Sequence, residues 1–483
     1  MRAHTTGSPV MMRAIVGLAV AAALLVGACD FNLTDPNSPR AIGPNATAGQ
    51  VSAAAVGILA AFRFDYSSWV LKAGIIGRED YRLDGADPRF TIELLAGPLD
   101  PSNAAFGGGQ WQREYRTIQS GYTILNVIGS AQIPDSQKNA VRAFVQTMQA
   151  LSFLIILDAH TEDSIPLDVN RTADKPLAPF VSNDSAYKAV IAILDSARDS
   201  LKSASTFPFD LGPGFVGFNT PATFLKFNRA LAARVRAYQA SLGALPANTY
   251  ATSWTSCPAC WDSVLTALGQ SFIDPAAPLD VGAYVAYGTG NQDVPNDLSQ
   301  DPATAIQLAH PLLKDSAELQ SGSTTLLDKR FLAKVTNRPK PFPLACLSSD
   351  LSWIRYPTPI SSIPIIRNEE LFLLRAEANL NKGGVGLTAA ANDINFIRTT
   401  SGGLDPITNL GSQSPDSILN VLLKQRFYSL LYEGGHRWID MRRYGKLSQI
   451  KIDRPKGCAA SGIPPDTVFS TLPINSFEVQ ARQ

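Results

Sequence analysis

Apolar and polar residues alternate with the period of an α-helix over most long segments of the chain. Between residues 111 and 131, for example, Trp111, Tyr115, Ile118 and Tyr122 follow one another at steps of three or four positions. This spacing puts them on one face of a helix, as expected for a helix that packs against a core. By the same criterion we predict helices over residues 47–64, 111–131, 134–160, 183–204, 220–243, 365–384, 387–403 and 415–435.

The ends and the order of these helices indicate how they pack. The segment 220–243 opens on Thr220-Pro221 and closes on Gly243, residue types that favour the two ends of a helix. Pairs of helices joined by short turns are the unit of TPR-like stacking, in which each hairpin buries its apolar face on the next. The chain lacks a strict repeat of about 34 residues, so this likeness is architectural. We predict a mostly α fold of TPR-like helical hairpins with little β-structure.

Long stretches rich in Pro, Gly, Ser and Asp separate the predicted helices, and they cover residues 77–109, 207–219, 272–299 and 345–365. Connections of this length are usually functional or disordered. These stretches contain aromatic residues, which disordered linkers generally lack. We therefore expect folded, irregular loops on a helical scaffold, and binding residues are often found on such loops.

The N-terminus has the pattern of a lipoprotein signal. Arg2 and Arg13 precede an apolar run of 13 residues, 14–26, which is shorter than the ~20 residues that a membrane-spanning helix needs. The run leads into Leu-Leu-Val-Gly-Ala-Cys, which resembles a bacterial lipobox ending at Cys29. We predict a signal peptide over residues 1–28, lipidation of Cys29, and a polar tether over 29–46 that holds the protein to a membrane. An ordinary signal peptide with an incidental cysteine is the alternative.

Composition excludes some partners. Charged residues make up 17% of the chain and the net charge is +1, so there is no basic excess to neutralise phosphates, and nucleic acid is not expected to bind. Four further cysteines permit three pairings. Cys257 and Cys260 form a Cys-x-x-Cys motif, for which we favour a local structural disulfide or a plain thiol pair. Redox activity would require a βαβ context that the sequence lacks.

Signals for catalysis are poor. Residues 212–217 satisfy Gly-x-Gly-x-x-Gly but follow no clear strand and open no immediate helix. His160, His310 and His436 are scattered without zinc-binding spacing. We therefore predict that the protein is not an enzyme and that it has no catalytic residues, no metal and no cofactor. A hydrolase would need converging carboxylates, which the sequence does not specify.

The segment 430–445, Leu-Leu-Tyr-Glu-Gly-Gly-His-Arg-Trp-Ile-Asp-Met-Arg-Arg-Tyr-Gly, concentrates polar groups near the C-terminus. We expect Gly434-Gly435 to separate a helix ending at Glu433 from one starting near Arg437, with Glu433 paired to Arg437 across the turn. A catalytic alternative makes Glu433 and His436 an acid–base pair. We favour a scaffold signature with an interhelical ion network, and its residues are Glu433, Gly434, Arg437, Trp438, Asp440 and Arg443.

Several motifs, in their order along the chain, resemble those of the SusD/RagB family of outer-membrane, nutrient-binding lipoproteins. They include the lipobox with its Leu- and Pro-containing tether, the Trp, Tyr, Ile and Asn helix at 111–128, and the Ala- and Arg-rich helix at 227–238. The helix pair over 367–398, the 425–447 signature and the closing segment 471–479 complete the set. The resemblance covers nearly the whole chain. It implies a SusD-like N-terminal region over 47–219 and a RagB/SusD C-terminal region over 220–483, intertwined in one globular unit.

The resemblance also implies a function. The protein would sit on the cell surface at the bacterial outer membrane, bind an oligosaccharide or, as an alternative, a peptide, and deliver it to a SusC-like TonB-dependent β-barrel transporter. An alternative from another class is a TPR-like envelope lipoprotein that scaffolds protein assemblies. An aromatic-rich loop pocket would favour nutrient capture, and an exposed apolar groove would favour scaffolding.

Residues for ligand binding are chosen by composition, because a sugar is typically held by aromatic faces flanked by Asp, Asn or Arg. Three loops, 78–90, 281–293 and 347–359, offer such residues. For each aromatic residue, the alternative is that it anchors its loop to the scaffold. The candidate ligand-binding residues are Asp80, Tyr81, Asp84, Arg89, Tyr284, Tyr287, Asn291, Trp353 and Arg355.

Overall fold

The computed structural model describes residues 42–102, 109–161, 164–172, 174–242, 258–291 and 293–483. The signal peptide, Cys29 and most of the tether lie outside these residues, and their roles stay predictions. Pro44–Gln483 form one compact unit. About half of the protein is helical and about 10% is strand, which confirms the predicted mostly α fold class.

Helices that follow one another in the chain pack side by side, as expected for stacked helical hairpins. Among the described residues the helices are α1 Ala48–Gly77, α2 Gly109–Val127, α3 Asp135–Ala159, α4 Asn183–Lys202, α5 Pro221–Leu242, α6 Pro258–Gly269, α7 Leu312–Asp315, α8 Lys329–Leu332, α9 Asn368–Lys382, α10 Gly386–Thr400, α11 Pro415–Ser429, α12 His436–Arg443 and α13 Ser476–Gln480.

Local capping explains where several helices start. The Thr47 side chain accepts a hydrogen bond from the backbone N–H of Gln50, whose own side chain accepts from Thr47 N, so a capping box opens α1. Ser182 and Ser414 cap α4 and α11 with their hydroxyls, which accept the backbone N–H groups of Ser185 and Ser417. The predicted end of α1 was wrong: the helix runs 13 residues past position 64. Its second half is buried almost all round, so the amphipathic period disappears.

The helix α3 is the one described helix that is long and apolar enough to cross a membrane, and 89% of its apolar window is buried inside the protein. It therefore forms a core helix of the bundle. A second apolar cluster fills the space between α9, α10 and α11, with Phe372, Leu380, Ile394, Leu419 and Leu422 among its buried members. These clusters hold the C-terminal helices in place.

Short antiparallel strands lie in three small sheets. The strands are β1 Asp80–Arg82, β2 Ile165–Pro166, β3 Phe180–Val181, β4 Gly282–Val285, β5 Gln307–Ala309, β6 Val335–Leu344, β7 Leu347–Trp353 and β8 Ile363–Arg367. One sheet has the order β1-β5-β7-β6, and β2 pairs with β3 and β4 with β8. The stretch 345–365, expected to be an irregular loop, thus contains β7 and the start of β8. Its Pro and Ser content concealed the strands. The hairpin partner of β7 is β6, which contains three prolines, a residue type that argues against a strand, and the partner of β8 is β4, which is distant in sequence.

A disulfide joins Cys346, at the turn between β6 and β7, to Cys458 near the C-terminus, 112 positions further along the chain. From the sequence, a bridge between Cys257 and Cys260 was expected as one possibility. Cys260 is disulfide-bonded, but Cys257 lies outside the described residues, so that pairing stays a prediction. A bridge of this span restricts the unfolded chain strongly.

Replacing both Cys346 and Cys458 by Ser is expected to lower the free energy of unfolding by about 2–5 kcal/mol, because the unfolded chain regains the loop entropy. Urea unfolding of the variant and the wild type under oxidising conditions measures the difference. Equal midpoints and slopes would show that the bridge contributes nothing to stability.

Candidate functional site

The polar segment at 430–445 forms a tight turn followed by a short helix. The helix α11 ends at Ser429, not at Glu433 as expected, and α12 begins at His436. Gly435 has φ 73°, and a Cβ there would lie 2.2 Å from Ala73 Cβ on α1. Glycine is required at this position both by its backbone conformation and by the close approach of α1.

Glu433 lies at the centre of a buried cluster of cations. Its side chain is paired with Arg367 Nε at 2.9 Å, Arg355 Nη2 at 3.1 Å and Lys334 Nζ at 3.3 Å. Burial alone would raise the pKa of Glu433, but the charges of Arg367, Lys334 and Arg355 outweigh it and hold the pKa well below its ordinary value. The expected pairing of Glu433 with Arg437 was therefore wrong: these three cations come from other parts of the chain.

The cations around Glu433 also cap the C-terminal end of α11. Lys334 Nζ donates to the carbonyl oxygens of Tyr428 at 3.0 Å and Ser429 at 2.6 Å, and Arg367 donates to Ser429 O as well. Positive charge at this end of a helix is stabilising, and the last carbonyls gain donors they would otherwise lack. Burial lowers the pKa of Lys334 to about 8, against the opposing effect of Glu433.

Asp440 and Arg443 belong to a second buried ion network. Asp440 accepts from Arg426 Nε at 2.6 Å and from Arg443 Nη2 at 2.7 Å. Arg443 Nη1 donates to Glu377 on α9 at 2.7 Å, and the Tyr444 hydroxyl donates to the same carboxylate at 2.6 Å. These bonds tie α9, α11 and α12 together.

The first long helix is joined to the same turn through Glu79 and Trp438. The Glu79 carboxylate accepts the backbone N–H of Tyr432 at 2.9 Å and of Arg437 at 3.3 Å. Burial raises the pKa of Glu79 to about 7, although these hydrogen bonds oppose the rise. Trp438 packs against Trp69 of α1 with ring centroids 6.2 Å apart, and its indole N–H donates to Phe469 O at 2.7 Å.

This environment does not suit an acid–base pair. Burial lowers the pKa of His436 to about 4, so the ring is neutral at pH 7. Glu433 is held as a carboxylate by three cations, and only 2% of its surface is exposed. A general base must reach a substrate proton, and neither group has an open face toward solvent.

In the first candidate ligand loop, most side chains are tied to neighbouring groups of the protein. Asp80 and Tyr81 are buried, and the Tyr81 hydroxyl lies 3.0 Å from His310 Nε2. Asp84 Oδ1 accepts from the backbone of Ala86 at 2.9 Å and so stabilises the local turn. Arg89 is exposed and pairs with Asp87 at 2.7 Å.

The candidate residues of the second and third loops range from buried to exposed. Tyr287 is buried, Tyr284 is half-buried, and Asn291 is exposed. Trp353 stacks on Tyr432 with ring centroids 4.1 Å apart, and Arg355 is one of the partners of Glu433. The structure thus brings Trp353 and Arg355 together at the Glu433 cluster. For the buried aromatic residues the contacts match the alternative role of anchoring loops, and their contact with ligand stays a prediction.

A groove that the sequence analysis missed lies between α2, the segment 166–178 and α13. Its cavity has a volume of about 850 Å³, within the range typical of ligand sites. On the α2 side it is lined by Trp111, Gln112, Tyr115, Arg116, Gln119, Ser120 and Thr123, and on the other sides by residues that include Pro166, Val169, Arg171, Lys175, Leu177, Glu478 and Arg482.

The groove combines aromatic rings with planar polar groups. Trp111 forms its floor, with its ring centroid 5.0 Å from that of Tyr115 and 5.9 Å from that of Phe180. The Tyr115 hydroxyl donates to Pro166 O at 2.8 Å and so fixes the ring across the groove. Gln119 donates to Val169 O, and Arg482 lies over the Phe180 ring at 4.2 Å and pairs with Glu478.

A sequence signal for this groove existed but was not specific. Gln112, Arg116, Gln119 and Thr123 recur at steps of three or four positions along α2, on the face opposite the buried Ile118. A polar stripe of this kind is the ordinary appearance of a solvated helix face. Only the packing of residues 166–178 and of α13 opposite the stripe makes it the wall of a cavity.

Residues 358–467 match the model of the SusD family. Among solved structures, the fold is similar to a SusD-like carbohydrate-binding protein from Bacteroides fragilis, with a TM-score of 0.64 at 14% identity over 90% of this chain and 98% of that one. It is also similar to surface glycan-binding protein A from Bacteroides uniformis, with a TM-score of 0.63 at 15% identity over 90% of this chain and 97% of that one. For NanU from B. fragilis the TM-score is 0.57 at 15% identity, over 89% of this chain and 96% of that one. No curated protein matches the chain in sequence.

At these identities the structural likenesses show a shared fold, and the SusD-like neighbours have helical, TPR-like folds. The family match covers the segment that holds the Glu433 turn and the Asp440 network, and it includes Arg367 among the three cations around Glu433. The match over residues 358–467 and the shared fold together make this chain similar to the proteins of the SusD family.

Replacing Glu433 by Gln is expected to lower the free energy of unfolding by about 3–5 kcal/mol, because it leaves Lys334, Arg367 and Arg355 without their shared counter-charge. Urea unfolding at pH 7 measures the loss. Asp199→Asn is the matched control, since Asp199 pairs with Arg198 and Lys202 on an exposed helix face and should leave stability unchanged. Equal effects of the two substitutions would contradict the role given to Glu433.

Replacing Glu79 by Gln should change how stability depends on pH. The pKa of Glu79 is raised to about 7 from 4.5, so the folded state binds the proton more tightly. The stabilisation is therefore fully present below pH ~4.5 and is lost as the pH rises through about 7. Relative to the wild type, Glu79→Gln should gain stability between pH 5 and 8, by on the order of 3 kcal/mol. A constant difference across this range in urea unfolding would refute the assignment.

Proposed function

We propose that this protein captures an oligosaccharide at the cell surface and delivers it to a SusC-like TonB-dependent transporter of the outer membrane. Three observations support the proposal: the match of residues 358–467 to the SusD family model, the lipobox ending at Cys29, and fold neighbours described as carbohydrate-binding and glycan-binding proteins. The lipidated Cys29 would anchor the protein, and the tether would let it reach its partner.

The groove at Trp111 is the site that we propose for the oligosaccharide. The observation that carries this assignment is the presence, in one cavity of about 850 Å³, of the half-buried Tyr115 ring, backed by the buried Trp111, beside amide, hydroxyl and guanidinium groups. An aromatic face packs on the C–H surface of a sugar, and the neighbouring side chains supply donors and acceptors for its hydroxyls. Arg116, Gln119, Ser120 and Thr123 are exposed and present these groups to solvent.

The proposed action is binding without bond cleavage. Glycoside hydrolysis uses two carboxyl groups that face each other across the scissile bond. Glu478 is the one carboxylate among the described residues that line the groove, and it is paired with Arg482. The lining therefore supports capture, and the residues of the loops at 281–291 and 347–359 remain additional candidates for contact with a longer chain.

A scaffolding function has one observation in its favour. The outward face of the first half of α1 is apolar and exposed, with Val56 41% and Phe64 58% accessible, and such a face suits contact with another protein. Affinity purification of the lipidated protein from native membranes separates the two functions. A stoichiometric TonB-dependent barrel supports capture, whereas soluble envelope proteins in its place support scaffolding.

The double substitution Arg116→Ala and Gln119→Ala is expected to weaken oligosaccharide binding at least about tenfold, because it removes two polar groups from the groove wall. An array of plant and host oligosaccharides identifies a ligand, and isothermal titration calorimetry then gives the dissociation constants. Lys188→Ala on the exposed face of α4 is the control and should bind as the wild type does. If the groove variant retains full affinity for a sugar that the wild type binds, the site lies elsewhere.

A further inference from the structure

Arg437 differs from Arg426 and Arg443, because its guanidinium forms no salt bridge among the described residues. Arg426 and Arg443, on the same two helices, share Asp440 and Glu377. The backbone N–H of Arg437 donates to Glu79, which fixes the residue at the start of α12. Its side chain makes neither an ion pair nor a hydrogen bond within the described part of the chain, and its Nε is buried without a partner.

The guanidinium lies over an aromatic ring and lines a cavity. Its central carbon is 4.0 Å from the ring centroid of Phe427. Stacking of this kind occupies one face of the guanidinium and leaves its N–H edge free for a planar, bidentate acceptor. The cavity has a volume of about 480 Å³ and lies between α7, α11 and α12 and the segment that follows α12.

The charge of the cavity lining is positive. Besides Arg437, it includes Lys424 and the exposed Lys451. Lys424 shares Glu318 with Arg398. Asp440 is the one acidic residue in the described lining, and both its oxygens are taken by Arg426 and Arg443. Glu79 lies close enough to interact with the charge of Arg437, but it forms no ion pair with the guanidinium, and the lining has no free carboxylate to do so. A partly buried guanidinium without a hydrogen-bonded counter-ion is unfavourable.

The remaining lining is mainly apolar and includes Leu312, Leu423, Phe427 and Met441. A ligand that satisfies both parts of the lining needs a planar anionic group at Arg437 and an apolar body over Phe427 and Met441. Carboxylates match the geometry of the guanidinium edge. We infer that this cavity is a second binding site, separate from the Trp111 groove, that takes a small carboxylate with an apolar body.

Calorimetric titration of the purified protein with 3-phenylpropionate tests the inference, with the neutral 3-phenylpropanamide as the matched probe. The acid should bind, and the amide should bind at least about tenfold more weakly. Added salt should lower the affinity for the acid and leave that for the amide unchanged. Arg437→Gln should reduce affinity for the acid at least about tenfold. The groove variant with Arg116→Ala and Gln119→Ala should bind the acid as the wild type does.

Lys451→Gln provides a test that does not depend on the scaffold, because Lys451 is exposed. This substitution should lower the affinity for the acid about two- to threefold, as expected for the loss of one nearby but solvated charge. If Arg437→Gln does not fold, this variant and the comparison of acid with amide decide the question. The inference would be overturned if the acid does not bind at millimolar concentration or if the acid and the amide bind with equal affinity. An affinity for the acid that is unchanged in Lys451→Gln, together with equal affinities for the two probes, would overturn it as well.

Discussion

The fold of this protein depends on one buried carboxylate, that of Glu433, and on the three cations that surround it. Lys334 precedes β6, Arg355 follows β7, and Arg367 ends β8. Each of these positions is distant from Glu433 in sequence, so the cluster joins the small sheets to the C-terminal helices. Burying four charges is costly unless they compensate one another. The geometry is therefore strongly constrained, and the last turn of α11 is held by the same groups that hold Glu433.

This constraint clarifies why the polar signature is structural in a protein that we propose to act by binding. The buried ion pairs, the Glu79 hydrogen bonds and the contact between Trp69 and Trp438 place α1, α9, α11 and α12 in fixed positions. The proposed saccharide groove lies outside this network, on α2 and α13. A rigid scaffold with a separate binding face suits a protein that captures a ligand and presents it to a partner, since little ordering is needed at the moment of binding.

Much of the fold follows from local patterns, and much of the site does not. The helical period predicted α2 to α5 and α9 to α11, and it is clearest in α2, α4 and α10, which bury one face and expose the other. The end of α1 was missed since its second half is buried almost all round, and β7 was missed because its hairpin partner β6 is rich in proline. Asp440 and Arg443 were recognised as ion-network residues, but the partners of Glu433 were not, since Lys334, Arg355 and Arg367 are brought to it only by tertiary packing. For the same reason the polar stripe on α2 did not indicate a cavity. Tyr81, Tyr287 and Trp353 were chosen as ligand-binding candidates from the composition of their loops, and the structure buries all three.

The most direct test of the central claim is hydrogen–deuterium exchange, measured by mass spectrometry with and without a bound oligosaccharide. Capture in the Trp111 groove predicts slower amide exchange in the first turns of α2, in residues 164–172 and in α13, with the Glu433 turn already protected in both states. Protection confined to residues 78–90, 281–291 or 347–359 would contradict that assignment and place the ligand on the loops instead.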